Sequence, residues 1–454
     1  MSTQSESGTN ARLRVGANLY LPAELLFMSK RSVTIWLVRD TCRVEDNPSL
    51  NLALETAGQS GTACFALACL EPRRWEHYQF GLARTGSAWK SFRANALIQL
   101  RTELLQHDIS LWIGAGDPSA LVGQIREQFI ISAIITDLPL ATEETEENRR
   151  LQNLGVKVIT TQSDELFEAT NIHSALERLP CSFTQFRKTI EKDGSVVPTL
   201  PVKFSAVGSP IPQIWLDPPE LYEARNLNGH HDAQPGWQEY LKSGALSTYK
   251  KTRNALEGAN MSSRLSAWLA HGCLSVRRAW HDTLEYEENY GANESTYWLR
   301  FELLWREFFR WYSRHIGSAL FTKTSKNDVC KVNPSESVLF ENWCSGNTGI
   351  DIIDAAMREL KQTGWLSNRG RQLVASHLIY EYGLDWRLGA AWFESQLVDF
   401  DVASNWGNWA YIAGVGADPR GGRIFDLESQ AERYDPKKTY RDRWLGLSPR
   451  KFEH

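Results

Sequence analysis

The feature that most limits what this chain can fold into is a change of period near residue 163. From Val33 to Thr160 short apolar runs alternate with longer amphipathic stretches, whereas after Leu246 only the helical period remains. Val33–Val38 is apolar without interruption, as a strand covered on both faces should be. Ala63–Ala68, Ile109–Ile113, Ala133–Thr136 and Val156–Thr160 repeat the pattern. Between them, Asp46-Asn-Pro48 offers an N-cap and a proline at the first helical position. Thr85–Gln106 reads as a long helix, Asp117-Pro118 opens another, and Thr142–Asn153 is acidic. Five strands with helical crossovers predict an α/β domain with a doubly wound parallel sheet. No G-x-G-x-x-G or Walker lysine motif accompanies it, so nothing here argues for dinucleotide or triphosphate binding.

Seven prolines from Pro198 to Pro235 punctuate the next stretch, which predicts a long ordered linker. Leu265–Leu274, Tyr297–Tyr312, Ile350–Gln362, Asn368–Tyr380 and Ala390–Leu397 are helical by pattern. The expected organisation is a disordered or non-native tail over 1–30, an α/β domain over 31–162, a linker over 163–245 and an all-α domain over 246–454. Met28 reads like a natural start just before the first strand, and an organelle transit peptide is disfavoured by Glu6 and Glu24. Seven cysteines without a C-x-x-C pair disfavour a disulfide scaffold, a zinc site or an iron–sulfur cluster. They suit a reducing compartment, and the expected location is cytoplasmic. No apolar run approaches the ~18 residues of a membrane span. A net charge of −4 argues against a wholesale polyanion binder, so any nucleic-acid contact must come from a local patch.

Chemistry concentrates in the C-terminal half of a chain that carries 18 Trp, several times the usual share. Trp365-Leu-Ser-Asn-Arg-Gly-Arg371 and Asp399-Phe-Asp-Val-Ala-Ser-Asn-Trp-Gly-Asn-Trp409 set Asn368, Arg369, Arg371, Asp399, Asp401, Asn405 and Asn408 among apolar helix formers. Arg371 and Asp399 alone would be a structural ion pair. The surplus of polar groups exceeds what a core tolerates without a ligand. It suggests a polar aromatic ligand, read here as a flavin, whose reduced anion an Arg–carboxylate pair could stabilise. Met261-Ser-Ser-Arg-Leu-Ser266 could cap a helix, the simpler reading, or hold an anion with Arg264. Glu302 and Trp305 stand three apart on one predicted helix. An acid beside an indole suits an extruded base, although an amphipathic helix with a Glu302–Arg306 pair is the plainer account.

These residues resemble the photolyase/cryptochrome family and, within it, the DASH cryptochromes, from about Val33 to Trp444. The most specific pieces are Thr-Tyr-Trp-Leu-Arg-Phe-Glu-Leu-Leu-Trp-Arg-Glu (296–307), Asp-Ala-Ala-Met-Arg-Glu-Leu (354–360), Ser-Asn-Arg-Gly-Arg-Gln (367–372) and Ser-Asn-Trp-Gly-Asn-Trp-Ala-Tyr (404–411). Ser-Phe-Thr-Gln-Phe-Arg-Lys (182–188), Tyr-Lys-Lys-Thr-Arg-Asn (249–254) and Tyr411 are similar to the DASH branch. The resemblance implies FAD in the helical domain. Ser262, Ser263, Arg264 and Ser266 would hold its phosphates with Tyr249 nearby. Asn368, Arg371, Asp399, Asp401 and Asn405 would surround the ring, Asn405 near N5. Glu302, Trp305 and Trp365 would line a lesion pocket, and Arg369 would help hold the strand. Methenyltetrahydrofolate is the implied antenna in the α/β domain, with Glu144 as its contact, although Leu140 stands where the family often has an acid.

Of the family's three electron-transfer tryptophans, Trp409 and Trp386 match the inner two. The third should fall between Phe321 and Trp343, where Cys330 or its neighbours stand instead, so either photoreduction is slow or another aromatic such as Trp311 or Tyr312 substitutes. Gly416-Ala417-Asp418 replaces the usual Gly-Asn-Asp. The implied activity is light-driven splitting of cyclobutane pyrimidine dimers by reduced FAD, in a monomer preferring single-stranded or looped DNA. Two other readings are a blue-light photoreceptor signalling to a partner and a light-independent binder of single-stranded nucleic acid.

Overall fold

The computed structural model describes residues 12–15, 19–22, 30–75, 78–79, 81–193, 196–201, 204, 211, 217–225, 236–258, 260–322, 334–417 and 421–446. Within the predicted tail, Arg12–Val15 pairs antiparallel with Leu19–Pro22, and the rest of residues 1–27 lies outside the described residues.

Five parallel strands form the sheet: β1 (Arg31–Val38), β2 (Ala63–Leu70), β3 (Leu111–Ala115), β4 (Phe129–Asp137) and β5 (Val158–Thr161). Their order is β3-β2-β1-β4-β5, with Val33 opposite Ala63 and Ile35 opposite Ile134. The apolar run of β1 divides as expected between two faces. Val33, Ile35 and Leu37 pack with Trp112 and Leu121, and Trp36 and Val38 with Leu50 and Leu97. The crossovers are α1 (Pro48–Ser60), α2 (Ser87–Leu105), α3 (Pro118–Gln128) and α4 (Thr142–Asn153). Asn47 and Asp117 cap α1 and α3 through their side chains, as the sequence predicts.

The strand order reverses between β1 and β4, where doubly wound folds place ligands. In this chain a cavity of about 390 Å³ lies there, lined by Pro48, Leu138, Thr160 and Arg277, above a base of tied polar side chains. Ser49, in the first turn of α1, meets Asp137 Oδ1 and Ser163 Oγ at 2.5 Å each. Asp46 there accepts from Arg277 Nε at 2.8 Å.

The stretch 163–245 is not a bare linker. Its helix α5 (Phe183–Asp193) buries Phe183, Phe186 and Ile190 in the helical core. The helical part then runs through α6 (Ser266–Ala270), α7 (Val276–Tyr290), α8 (Glu294–Ile316), α9 (Pro334–Ser345), α10 (Asp351–Thr363), α11 (Asn368–Ser376), α12 (Trp386–Gln396) and α13 (Val402–Ile412). Helix α6 is shorter than its apolar pattern predicts because Gly272 turns the chain at φ +66. A Cβ there would stand 2.0 Å from the Asp40 carbonyl. The predicted helix over 368–380 ends its α-helical hydrogen bonding at Ser376 and continues as a π turn, His377–Glu381.

Two apolar cores result, one around α5 and α8 and one around α9 to α13. A cavity lies between them. Among the described residues no helix is long and apolar enough to cross a membrane, and no cluster of His, Cys, Asp and Glu could hold a metal ion.

Candidate functional site

The cavity, about 290 Å³, is lined by residues from both cores, including Leu299 and Leu303 on one side and Phe393, Leu397 and Trp409 on the other. It brings together fifteen of the residues singled out from sequence: Tyr249, Ser262, Ser263, Arg264, Ser266, Glu302, Arg306, Trp365, Asn368, Arg371, Asp399, Asp401, Asn405, Asn408 and Trp409.

Helix α11 starts at Asn368, capped by Ser367, whose Oγ accepts from Gly370 N at 3.1 Å. That fixes Arg371 one turn in. Its Nε donates to the Leu366 carbonyl at 2.8 Å and its Nη2 to Asp399 Oδ2 at 2.7 Å. Asp399 is buried, and its second oxygen, Oδ1, has no hydrogen-bond partner. Such an acceptor normally finds a donor, so a ligand N–H or O–H fits this place. Asp401 caps α13 through Ser404 N at 2.7 Å and faces Arg310 at 3.6 Å. One turn on, Asn405 is buried, and its amide nitrogen donates to the Ala390 carbonyl of α12 at 3.0 Å. With one N–H committed, the amide keeps its acceptor oxygen and a second N–H for a ligand.

At the mouth, Arg264 sits at φ +50 with its guanidinium 4.5 Å from the Trp365 ring centroid. Glu302 takes two contacts on one oxygen, Arg253 Nη1 at 2.6 Å and Trp298 Nε1 at 3.1 Å. Desolvation in the cavity wall pushes its carboxyl above the ordinary range in spite of Arg253. Arg253 belongs to the 249–254 segment, and its role against Glu302 was not legible from spacing. Burial likewise pushes the Tyr249 phenol up.

Trp305, Arg369 and Trp386 do not line the cavity. Trp305 is stacked on Phe183, centroids 3.7 Å apart, and edge-on to Tyr411 at 5.4 Å. Arg369 is packed over the rings of Tyr434 and Phe425, at 4.9 and 5.4 Å. Trp386 lies behind the wall, 5.8 Å from Trp406. Trp409, in the wall, meets Phe393 at 5.1 Å and Trp343 at 6.1 Å. Trp311 and Tyr312 belong to the other core, Trp311 beneath the Arg314 guanidinium at 5.0 Å. Cys330 and Asp418 lie outside the described residues.

A second cavity, about 240 Å³, opens between the sheet domain and the helices and shares Asp401 and Ala270 with the first. Aromatic side chains Trp89, Phe321, Phe400 and Trp406 line it, with Asp40, Arg74, Arg84 and Glu144. Glu144 is at N3 of α4, one oxygen on Arg74 Nη2 at 2.6 Å and the other accepting from Ala141 N at 3.2 Å. Burial opposes its charge, yet Arg74 and Arg39 hold the carboxyl below the ordinary range. Asp40, not singled out from sequence, also lines this cavity, and burial raises its carboxyl against the pull of Arg74 and Arg93.

Residues 298–448 match the model of the FAD binding domain of DNA photolyase, and residues 33–205 that of DNA photolyase. Fold and cavity thus define a class, a helical FAD-binding domain behind a five-stranded α/β domain. The chain belongs to the photolyase/cryptochrome family, in its DASH branch. Cryptochrome DASH of Idiomarina loihiensis is 38% identical, the match covering 93% of this chain and 95% of that protein. A Synechocystis cryptochrome structure superposes with a TM-score of 0.83 at 35% identity, over 92% of this chain and 90% of that one. An archaeal photolyase from Sulfolobus tokodaii, described with two FAD molecules, gives 0.74 at 25% identity, over 91% and 90%.

Proposed function

We propose that the protein is a light-dependent cyclobutane pyrimidine dimer photolyase of DASH type that acts on single-stranded or looped DNA. FAD is held in the first cavity, by Ser262, Ser263, Arg264 and Ser266 at its phosphates and by Asn368, Arg371, Asp399, Asp401 and Asn405 around its ring. The observation that carries this reading is the Arg371–Asp399 pair, with Asp399 Oδ1 left as a buried acceptor in the cavity. When bound, reduced FAD supplies the photochemical electron and takes it back after the cyclobutane ring opens. Arg371 keeps a cation against Asp399 and balances charge beside the ring. Asn405 offers its amide oxygen to a ring N–H.

Glu302 and Trp365 stand where an extruded dimer would enter, and Trp305, stacked on Phe183, backs Glu302 from the same helix. Because its carboxyl is pushed up, Glu302 can donate a hydrogen bond to a thymine carbonyl at pH values where an ordinary carboxylate cannot. Unstacking a dimer from duplex DNA costs a few kcal/mol, which a single strand avoids. With a net charge of −4, the phosphate contacts must be local. Lys250, Lys251 and Arg253, on the segment that reaches Glu302, with Arg264 and Arg369, suit that need. The second cavity would take a planar antenna such as methenyltetrahydrofolate between its aromatic walls, with Glu144 and Asp40 as polar contacts.

Near-UV light on the reduced protein is expected to restore thymine absorbance in a dimer-containing single strand faster than in the duplex. No restoration with flavin bound and reduced would refute the repair reading and favour a photoreceptor. Glu302→Ala is expected to cut the repair rate constant about 10- to 100-fold, the equivalent of leaving one buried carbonyl without its donor. Bound flavin should stay unchanged. An unaltered repair rate would remove Glu302 from the lesion pocket.

A further inference from the structure

Reducing a flavin by light leaves an oxidising equivalent on the protein, and a buried indole cation is costly unless it sheds its proton. The partners of the indole N–H groups therefore decide where that equivalent rests. Trp409 walls the first cavity, and a Cβ on Gly389 would stand 2.2 Å from its ring. Trp386 lies one turn before Gly389 on the same face of α12, and it meets Trp406 edge to face, 5.8 Å between centroids and 77° between planes.

Trp386 Nε1 is buried with no acceptor, so that indole can pass charge but cannot lose its proton. Trp343, against Trp409, donates to the Val374 carbonyl at 3.0 Å, and an amide carbonyl is no base at neutral pH. Trp406 instead donates to a carboxylate, Glu394 Oε2, at 3.1 Å. Glu394 is buried, its other oxygen held by Arg84, which also binds Glu143 at 2.6 Å. Burial raises the Glu394 carboxyl, outweighing Arg84 and the indole N–H. Trp311 also donates to a carboxylate, Glu307, but the Arg314 cation over its ring opposes oxidation.

We propose that Trp406, with Glu394 as its proton acceptor, is the terminal electron donor in photoreduction, in place of the missing outer tryptophan. One electron passes from Trp409 to the illuminated oxidised flavin, Trp386 refills Trp409, and Trp406 refills Trp386. The Nε1 proton of Trp406 moves to Glu394 Oε2, leaving a neutral indolyl radical and a protonated carboxyl. Charge and atoms balance with no further reactant.

This assignment rests on flavin in the first cavity, so its test uses the FAD-loaded protein, flashed with blue light and followed by transient absorption and electron paramagnetic resonance. Wild type is expected to give a neutral tryptophan radical formed with a slowing in D₂O. Trp406→Phe should lose that radical. Glu394→Gln, which keeps the indole contact but removes the base, should leave only the short-lived cation. A neutral radical that persists in Trp406→Phe, or vanishes instead in Trp343→Phe, overturns the assignment while leaving the flavin reading intact. FAD-loaded wild type that gives no radical at all overturns the assignment and the photochemistry together.

Discussion

Purified Arg371→Met protein is expected to come out colourless and to melt below the wild type. The guanidinium is the hydrogen-bond partner of Asp399, whose side chain is 1% exposed and whose Oδ1 already has none. Stripping the cation from a buried carboxylate leaves a desolvated charge, costing about 3 kcal/mol, the low end of the range because the arginine is partly solvated. The cavity also loses its anion-balancing charge together with the geometry of its polar wall. Arg371→Lys should only partly rescue, since an ammonium cannot reach the Leu366 carbonyl and Asp399 with a rigid fork. The double variant Arg371→Met/Asp399→Leu separates two explanations. Replacing both members with apolar groups should recover most of the stability, yet the protein should remain colourless when offered FAD. Flavin absorbance and thermal melting are the two measurements. Wild-type flavin content in the single variant would reduce the pair to a structural role.

What could be read from sequence and what could not divides along physical lines. The strands were legible because their burial is continuous. Every side chain from Val33 to Val38 is covered, so local composition alone marks β1. Helices with a side-chain cap and proline announced their starts, and acidic α4 was predicted with its observed bounds, Thr142–Asn153. Helix α7 was missed because its sequence, VRRAWHDTLEYEENY, buries Arg277, Asp282 and Thr283 along with Val276 and Ala279. Its buried face is partly polar because Arg277 meets Asp46 at the start of α1 and Asp282 accepts from Trp237 Nε1, partners that lie far off in sequence.

In the cavity, the polar surplus around Arg371 and Asp399 was visible because unpartnered polar groups are anomalous among apolar neighbours. The cover that Phe183 puts on Trp305 comes from 122 positions away, and no period in either segment foretells it. The same holds for the Arg84–Glu394–Trp406 chain, which joins the segment just ahead of α2 to α12 and α13. Sequence shows that a charge needs a partner. Which partner it meets is a property of the packing.

Arg277→Met, where α7 meets the start of α1, is expected to lower stability by about 3–5 kcal/mol without discharging the flavin. Asp46 is fully buried and Arg277 3% exposed, and their ion pair at 2.8 Å ties the start of α1 to the start of α7. Asp46 also accepts from Leu200 N at 2.8 Å and from Ser275, so one carboxylate gathers three segments of the chain. Without the guanidinium these neutral donors cannot balance it. Unfolding entropy scales with length, near 1 kcal/mol/K for a chain of this size, so the melting point should fall by about 4 °C. Asp46→Asn is the complementary change. Asparagine tolerates the positive φ of 48 found there, so backbone strain does not confound it, but the amide strands the arginine in turn. The two single variants should each destabilise by a similar amount, and the double variant by less than their sum, with a coupling of about 2 kcal/mol. Strict additivity would show that the pair contributes nothing as a pair. Because neither residue lines the first cavity, flavin content in all three proteins should match wild type, whereas in Arg371→Met it should not. That contrast separates damage to the joint between the two parts from damage to the site.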